Sequence, residues 1–212
     1  MTFLYPDAVI QVFCKAPVAG QVKTRLTPDL TPEQAAQVHK QLTLSTLTQL
    51  VSYQLCPIQL WCTPSLSHPF FIEMAETFSL TLQLQSSGDL GQRMFNAINT
   101  GLGQYGHAII MGCDCPSLNI KDLTQAINAL STKYEYVIAP AEDGGYCLIG
   151  TNKPCPELFE DISWGKSTVL NETRKKIKAS SLKCLELETQ WDVDNYSDYL
   201  RYINSILPGS TR

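Results

Sequence analysis

Short apolar segments alternate with longer amphipathic segments along this chain, and that alternation restricts its fold more than any other feature. Apolar runs of about four to eight residues are typical of buried strands, whereas apolar residues that recur every three or four positions are typical of helices. The pattern predicts strands at residues 8–14, 58–62, 80–84, 107–111, 136–139, 146–150 and 182–187. It predicts helices that begin at residue 31 and at residues 66–78, 92–105, 119–130, 167–178 and 196–206. Such alternation predicts a three-layer α/β fold, in which helices cover both faces of a mainly parallel sheet.

The bulk composition narrows the class of protein. The chain has 212 residues, of which 44% are apolar and 17% charged, as in globular proteins. We expect residues 1–212 to form one domain, because no repeat, linker or change of composition divides them. A formal net charge of -4 argues against binding of nucleic acid, which needs a broad cationic face. We find no signal peptide and no membrane span, and therefore expect a cytoplasmic protein whose eight cysteines are reduced.

Basic residues cluster in the segment that follows the first predicted strand. Residues 1–90 contain four Lys or Arg, and three of these lie within residues 15–26. Ligands of parallel α/β sheets bind outside the carboxyl ends of the strands. A loop there with turn-forming residues and three cations can present N–H groups and positive charge to a diphosphate, although a merely solvated turn is the alternative. The residues predicted to bind a nucleotide are Lys15, Ala16, Pro17, Gly20, Lys23, Arg25 and, near another strand end, Arg93.

Aspartates follow two of the predicted strands. Asp114 comes directly after the strand at residues 107–111, where one carboxylate can hold Mg2+ or Mn2+ together with diphosphate oxygens and water. The alternative role of Asp114 is to cap the next helix. After the last predicted strand, Asp194 is a candidate second metal ligand, and Asp192, two residues earlier, can point the same way and take that role instead. The alternative for this pair is a helix cap before Tyr196.

A pair of acids lies between two other predicted strands. Glu142 and Asp143 are followed by Gly144 and Gly145, a combination that also suits an ordinary hairpin turn. Because the loop follows a strand end, either acid is a candidate general base for the hydroxyl group of an acceptor. The two glycines would let that acceptor approach the main chain, so we predict that they bind it.

Two further patterns carry less weight. Residues 101–106 match G-x-G-x-x-G, but they follow a predicted helix and precede a strand, the reverse of a dinucleotide site, so we interpret them as a helix end and loop. Four cysteines on or beside predicted strands, Cys14, Cys113, Cys115 and Cys147, raise the alternative of a thiolate metal site. Their spacing matches no usual zinc pattern, and the three histidines form no spaced pair, so we interpret the cysteines as small buried residues.

Several of these motifs follow one another in the order of a known bacterial family. They lie at residues 13–26, 88–94, 112–116, 140–150, 164–168 and 192–194. Together they resemble the radical-SAM-associated or arsenosugar-biosynthesis glycosyltransferases of the nucleotide-diphospho-sugar transferase superfamily, over almost the whole chain. The sequence departs from that pattern at Cys113, where Ser or Thr is expected, and at Gly165 and Lys166, where the pattern runs Trp-Ser-Thr.

The resemblance implies a GT-A-like fold related to the Rossmann fold. It also implies a nucleotide or nucleotide sugar over the first loop, Mg2+ or Mn2+ at Asp114, and a small-molecule acceptor near Trp164. We therefore expect a glycosyltransferase. The alternatives are a nucleotidyltransferase of the molybdenum-cofactor or phospholactate-guanylyl type, which releases pyrophosphate, and a non-catalytic protein that binds nucleotide sugars. A second cationic site for an acceptor phosphate would favour the nucleotidyltransferase, and apart from the first loop the sequence shows no comparable basic cluster at a strand end.

Overall fold

The computed structural model describes residues 2–206 of the chain. Its strands are β1 (Ala8–Lys15), β2 (Ile58–Thr63), β3 (Thr81–Leu84), β4 (His107–Gly112), β5 (Tyr136–Pro140), β6 (Tyr146–Thr151) and β7 (Cys184–Glu186). Its α-helices are α1 (Pro32–Tyr53), α2 (Pro69–Phe78), α3 (Leu90–Leu102), α4 (Ile120–Leu130), α5 (Val169–Ala179) and α6 (Tyr196–Ile206). Two short 3-10 helices cover Thr24–Leu26 and Pro156–Leu158. Within residues 2–206, no helix has both the length and the apolar character needed to cross a membrane.

A seven-stranded sheet forms the middle layer of the described residues, with the strand order β3-β2-β1-β4-β6-β5-β7. Strand β6 is antiparallel to β4 and β5, and the other neighbouring pairs are parallel. Helices α1, α2 and α4 contribute to the core on one face of the sheet, and α3 and α5 to the core on the other. The three-layer α/β fold expected from the sequence is therefore confirmed.

The first strand shows how the sequence builds both layers. Ile10, Val12 and Cys14 belong to the core on the α1 side, whereas Phe13 packs into the core on the α3 side. Successive side chains of a strand point to opposite faces, so a strand covered on both faces must be apolar at nearly every position. The continuous apolar run at the start of the sequence follows from this double burial.

Helices α2 and α3 show why some helices begin at residues other than those predicted. Helix α2 begins three residues later, at Pro69, because the fixed φ and missing N–H of proline suit a first helical turn but not a helix interior. Helix α3 begins two residues earlier, at Leu90, because Asp89 and Gln92 form a capping box there. The G-x-G-x-x-G segment, residues 101–106, is the end of α3 and the loop that follows it, as predicted.

Several connecting segments meet at one edge of the sheet. The carboxyl ends of β1, β4 and β5 point to this edge, and β6 begins there with Tyr146 because it runs in the opposite direction. The segment before α6 reaches the same edge through a parallel bridge between Ala141 and Gln190. This edge is therefore built from loops that are far apart in the sequence. Ligands of parallel sheets bind at the edge where the carboxyl ends of the strands lie.

Helix α1 offers a matched test of this packing. Leu47 is fully buried against the sheet, whereas Leu44 on the same helix is 44% exposed. We expect Leu47→Ala to lower the free energy of unfolding by about 2–5 kcal/mol, because the sheet cannot close around the lost side chain. Leu44→Ala should change it by less than about 0.5 kcal/mol. Urea unfolding followed by circular dichroism measures both values, and equal effects would contradict the orientation of α1.

Candidate active site

The loop after β1 folds back on itself at the sheet edge. Lys15 Nζ donates a hydrogen bond of 2.9 Å to the carbonyl group six residues further along, so this cation closes the loop. Gly20 has a φ of 75° and Lys23 a φ of 49°, in the left-handed region that glycine enters without strain. Ala16 and Pro17 are buried at the start of the loop, and the Ala16 N–H donates to the end of β2 at 2.8 Å. The loop is thereby fixed to the sheet, with Lys23 at its far side.

Lys23 joins this loop to two other segments. Its Nζ donates one hydrogen bond of 2.6 Å to Asp114 Oδ2 and another of 2.6 Å to the carbonyl oxygen of Val193. The Lys23 side chain is 7% exposed. Burial acts to raise the pKa of Asp114, but the charge and hydrogen bond of Lys23 outweigh it and hold that pKa below its ordinary value. Burial likewise acts to lower the pKa of Lys23, and Asp114 more than compensates. Both groups are therefore charged near neutral pH.

Asp114 lies where the sequence predicts, just beyond the carboxyl end of β4. Gly112 makes room for it, since a Cβ at that position would lie 2.7 Å from Asp114 Oδ1. The next helix, α4, is capped by Asn119, whose side chain accepts a hydrogen bond from the Lys121 N–H. The capping alternative for Asp114 is therefore wrong. The backbone of Asp114 is fixed as well, because its carbonyl accepts a hydrogen bond of 3.0 Å from the Val193 N–H.

The two aspartates before α6 have different neighbours. Asp192 lines the same cavity as Asp114. Asp194 instead accepts a short hydrogen bond from Arg25 Nη1, and the Arg25 side chain is 64% exposed. Neither aspartate caps α6, because Asn195 does so by accepting from the N–H groups of the two residues that follow Tyr196. The helix-cap alternative for this pair is therefore wrong too.

Residues 141–145 form the tight connection between the antiparallel strands β5 and β6, so the hairpin interpretation of this loop is correct. Asp143 nevertheless lines the cavity, and its Oδ1 accepts a hydrogen bond of 2.8 Å from the Gly145 N–H. Glu142 does not line the cavity and forms an ion pair of 2.9 Å with Arg201. Of the two acids proposed as general base, the structure brings only Asp143 to the cavity.

The two glycines of this connection have separate roles in the fold. Gly144 has a φ of 88°, and a Cβ there would lie 2.2 Å from the carbonyl oxygen of Ser167. Its own carbonyl accepts a hydrogen bond of 2.9 Å from the Leu170 N–H at the start of α5. Gly145 lines the cavity. Only glycine fits at position 144, so this residue fixes the acidic turn against α5.

A cavity of about 220 Å3 opens beside Asp114, Asp143 and Asp192. The aromatic rings of Tyr146 and Trp164 line it and pack edge to face, with their centroids 6.4 Å apart. Other lining residues are Leu90, Met94 and Lys166. An apolar wall with a few polar groups that converge on it is typical of a site for a small molecule.

The loop that carries Trp164 is held in place by α5. Glu172 accepts hydrogen bonds of 2.7 Å from the Ser163 N–H and of 2.7 Å from the Thr168 hydroxyl group. This double contact brings Trp164 and Lys166 to the cavity. Sequence reasoning did not assign Lys166 to the site, although its departure from the family pattern marked the position. It also missed Tyr146, because nothing in the sequence showed that β6 begins at the edge where the parallel strands end.

Of the fourteen site residues predicted from the sequence, Asp114, Asp143, Gly145 and Trp164 line the cavity, and the other ten do not. Arg93 Nη1 donates a hydrogen bond of 3.2 Å to Gln85 Oε1, Lys15 closes its own loop, and Glu142 faces Arg201. Among the described residues, the cavity and its immediate neighbours instead bring together Lys23, Asp114, Asp143, Gly145, Trp164 and Asp192.

Comparisons with known proteins identify the class of this chain. Residues 46–166, more than half of its length, match the model of the family DUF2064, described as uncharacterized proteins conserved in bacteria. The chain therefore belongs to this family. Comparison of the sequence with curated proteins gives no match.

The fold is similar to the solved structures of several transferases. The chain is 28% identical to a candidate nucleotide-diphospho-sugar transferase from Desulfovibrio desulfuricans G20, with a TM-score of 0.86 over 97% of this chain and 90% of that one. It shares its fold with a cytidylyltransferase from Leptospira borgpetersenii at 15% identity, with a TM-score of 0.63 over 95% and 87% of the two chains. Glucosyl-3-phosphoglycerate synthase from Mycobacterium tuberculosis, in complex with Mn2+ and UDP, shares it at 8% identity, with a TM-score of 0.52 over 92% and 75%.

The acids of the cavity should make the stability of the metal-free protein depend on pH. Burial, together with repulsion from Asp114 and Asp143, raises the pKa of Asp192 from 3.8 to about 6. The folded state therefore holds this proton more tightly than the unfolded state does. The contribution of the protonated Asp192 to the stability of the folded state is fully present below about pH 4 and is lost as the pH rises through about 6. With a chelator present, Asp192→Asn should raise the melting temperature near pH 8 and change it little near pH 4.

Asp194→Asn is the matched control, because it removes the partner of Arg25 and should not raise the melting temperature near pH 8. Scanning calorimetry at the two pH values measures both variants. A melting temperature of Asp192→Asn that equals the wild-type value near pH 8 would contradict the proposed burial of this carboxylate.

Proposed function

We propose that this chain is a metal-dependent glycosyltransferase that moves a sugar from a nucleoside diphosphate to a small acceptor. The observation that carries the proposal is the contact between Lys23 and Asp114, which brings a cation of the first loop to the carboxylate at the end of β4, beside the cavity. A diphosphate bound there would meet positive charge directly and the carboxylate through a divalent ion. The similarity to the candidate nucleotide-diphospho-sugar transferase of D. desulfuricans supports the same class of reaction.

Lys23 and Arg25 are the cations that we propose for the diphosphate. The Lys23 ammonium group already lies at the acidic site, and it can exchange its carboxylate partner for phosphate oxygens. The Arg25 side chain is mostly exposed, so its planar guanidinium group can turn from Asp194 toward a second phosphate and bind it through two hydrogen bonds. Lys15 and Arg93 hold loop and helix contacts, and we assign them to the support of the nucleotide site.

Asp114 and Asp192 are the ligands that we propose for Mg2+ or Mn2+. Both line the cavity, and repulsion between the acids contributes to the raised pKa of Asp192, an excess of negative charge that a divalent cation would neutralise. Carboxylate oxygens suit both ions, and the diphosphate would supply further oxygens. Asp194 pairs with Arg25 and does not line the cavity, so it is the alternative ligand. When bound, such an ion stabilises the negative charge of the departing nucleotide.

The acceptor would lie against Trp164 and Tyr146, between the aromatic wall and the acidic turn. Asp143 is the general base that we propose, because it faces the cavity and Glu142 does not. Gly145 leaves the main chain accessible to the acceptor, and Gly144 fixes the turn that positions Asp143. Asp143 would then take the proton of the attacking hydroxyl group.

A second candidate function, nucleotidyl transfer to a phosphorylated acceptor, is favoured by one observation. Lys166 lines the cavity on the acceptor side, and it provides there the positive charge that the sequence did not reveal. The fold shared with cytidylyltransferases is compatible with this chemistry. The two candidates differ in the product, because nucleotidyl transfer from a triphosphate releases pyrophosphate, whereas glycosyl transfer releases a nucleoside diphosphate.

The metal-dependent nucleotide site can be tested before the acceptor is known. We expect a nucleoside diphosphate or nucleotide sugar to raise the melting temperature of the wild-type protein in the presence of Mn2+, since a ligand of the folded state stabilises it. Asp114→Ala should lose the Mn2+-dependent part of this shift while its circular dichroism spectrum stays unchanged. Glu76→Gln, at an exposed acid on α2, is the control and should respond like the wild type. A full Mn2+-dependent shift in Asp114→Ala would overturn the proposal.

The choice of general base can be tested once a donor and an acceptor have been found. Asp143→Asn should lower kcat by about 100-fold or more, because the acceptor hydroxyl group loses its proton acceptor. Glu142→Gln should change kcat by less than about threefold, since its carboxylate lies outside the cavity. Steady-state kinetics with separate assays for nucleoside diphosphate and pyrophosphate measure the rate and identify the product. A larger loss in Glu142→Gln than in Asp143→Asn would reverse the assignment.

A further inference from the structure

Behind the cavity, two cysteines and a histidine come together in the core, and we propose that Cys14, His39 and Cys113 form a site for Zn2+. Cys14 lies near the end of β1, Cys113 directly follows β4, and His39 belongs to α1. Their potential ligand atoms all lie within 4.8 Å of one another. Within residues 2–206, no other group of three or more His, Cys, Asp or Glu side chains has its potential ligand atoms this close together. The proposal does not depend on the transferase activity and applies equally if that activity is absent.

The topology of the sheet explains why these thiols meet. Strands β1 and β4 are parallel neighbours, and Phe13 is the register partner of Gly112. The next residues along the two strands, Cys14 and Cys113, therefore lie side by side. Both side chains belong to the core on the α1 side, where α1 brings His39 against them. Three separate elements thus supply one ligand each, a more rigid arrangement than a site built on one loop.

The distances fit a tetrahedral metal site. Zinc bonds sulfur at about 2.3 Å and nitrogen at about 2.0 Å, so tetrahedral ligand atoms lie roughly 3.5 Å apart. Cys14 Sγ is 3.7 Å from His39 Nε2 and 3.6 Å from the Thr43 hydroxyl oxygen. The Thr43 hydroxyl group donates its proton to the carbonyl of His39 at 2.9 Å, which leaves its lone pairs free. Thr43 can therefore complete the set as a fourth, weaker ligand.

The chemistry of the ligands and their burial favour Zn2+. Thiolate and imidazole are the ligands that zinc takes in structural sites, whereas Mg2+ and Mn2+ prefer oxygen. Cys14, Cys113 and His39 are 1%, 3% and 5% exposed, so an uncompensated charge in the cluster would be costly. Two thiolates, a neutral imidazole and Zn2+ carry no net charge. Cu+ would leave a negative charge in the core.

Binding of Zn2+ would break one hydrogen bond of His39. His39 Nε2 lies 2.8 Å from the carbonyl oxygen of Lys15, to which it donates in the metal-free protein. As a zinc ligand, Nε2 would lose this proton, and the ring would carry its proton on Nδ1. The carbonyl of Lys15, at the start of the basic loop, would then be released. Because the cluster has no exposed ligand atom to receive the ion, we expect the metal to enter during folding rather than afterwards.

The test is to refold the wild-type protein with Zn2+ or Co2+ under reducing conditions and to remove weakly bound ions by dialysis. We expect one ion per chain by elemental analysis, a higher melting temperature than after refolding with chelator, and the thiolate-to-Co2+ charge-transfer absorption of a tetrahedral sulfur site. Asp114→Ala should keep this absorption, because a metal held only by the carboxylates of the cavity would produce none. Cys113→Ser and His39→Ala remove a ligand itself, so they should weaken Zn2+ binding by more than the roughly 10–100-fold that loss of a ligand's hydrogen-bond partner costs.

Cys62→Ser is the matched control, since Cys62 is equally buried and is the register neighbour of Cys14 on β2 but lies outside the cluster. It should keep the charge-transfer band. If the ligand variants do not fold, the wild-type measurement still decides, because wild-type protein refolded with Co2+ that lacks the thiolate band would overturn the proposal. Retention of Cu+ without Zn2+ would overturn the choice of metal.

Discussion

The ion pair between Lys23 and Asp114 is the interaction on which the geometry of the cavity edge depends. Removing either partner of a buried pair costs more than the pair itself contributes, because the remaining charge is left without compensation. Here the Lys23 ammonium group also binds the carbonyl of Val193, whose N–H binds the carbonyl of Asp114. Three segments that are distant in the sequence therefore meet at one point. The loop after β1, the end of β4 and the approach to α6 cannot move independently while this pair persists.

The same interaction leaves an imbalance of charge that defines what the cavity can bind. Lys23 compensates Asp114, but Asp192 and Asp143 line the cavity without comparable partners. Burial, together with repulsion from Asp114 and Asp143, raises the pKa of Asp192. A neutral ligand would not relieve this repulsion, and an anion alone would increase it. A divalent cation together with a diphosphate satisfies both the acids and the basic loop. The electrostatics of the metal-free protein thus favour a ligand that brings a cation and an anion together.

Most of the fold could be predicted from the sequence, because double burial makes strands β1, β4 and β5 apolar and helical periodicity marks α4 and α6. Asp114 could also be placed, because the sheet rule fixes the edge at which ligands bind. The sequence could not show which of two nearby acids faces the cavity. The two-residue spacing of Asp192 and Asp194 suggested a shared direction, but this segment is not a regular strand, and its residues turn to different neighbours. Glu142 and Asp143 differ only in which side of a tight turn they face.

The buried cluster of two cysteines and a histidine could not be recognised from the spacing of its residues in the sequence. Zinc motifs are recognised by short spacings because their ligands come from one loop or helix, whereas Cys14, His39 and Cys113 come from three elements and meet only through the parallel register of β1 and β4. Just beyond the end of β4, adjacent residues differ in role. Cys113 points into the core, and the next residue, Asp114, reaches the cavity. The alternation of side chains along a strand end therefore lets a few residues serve the core and the site together, and a change of conformation at the cluster would reach the cavity through a single peptide bond.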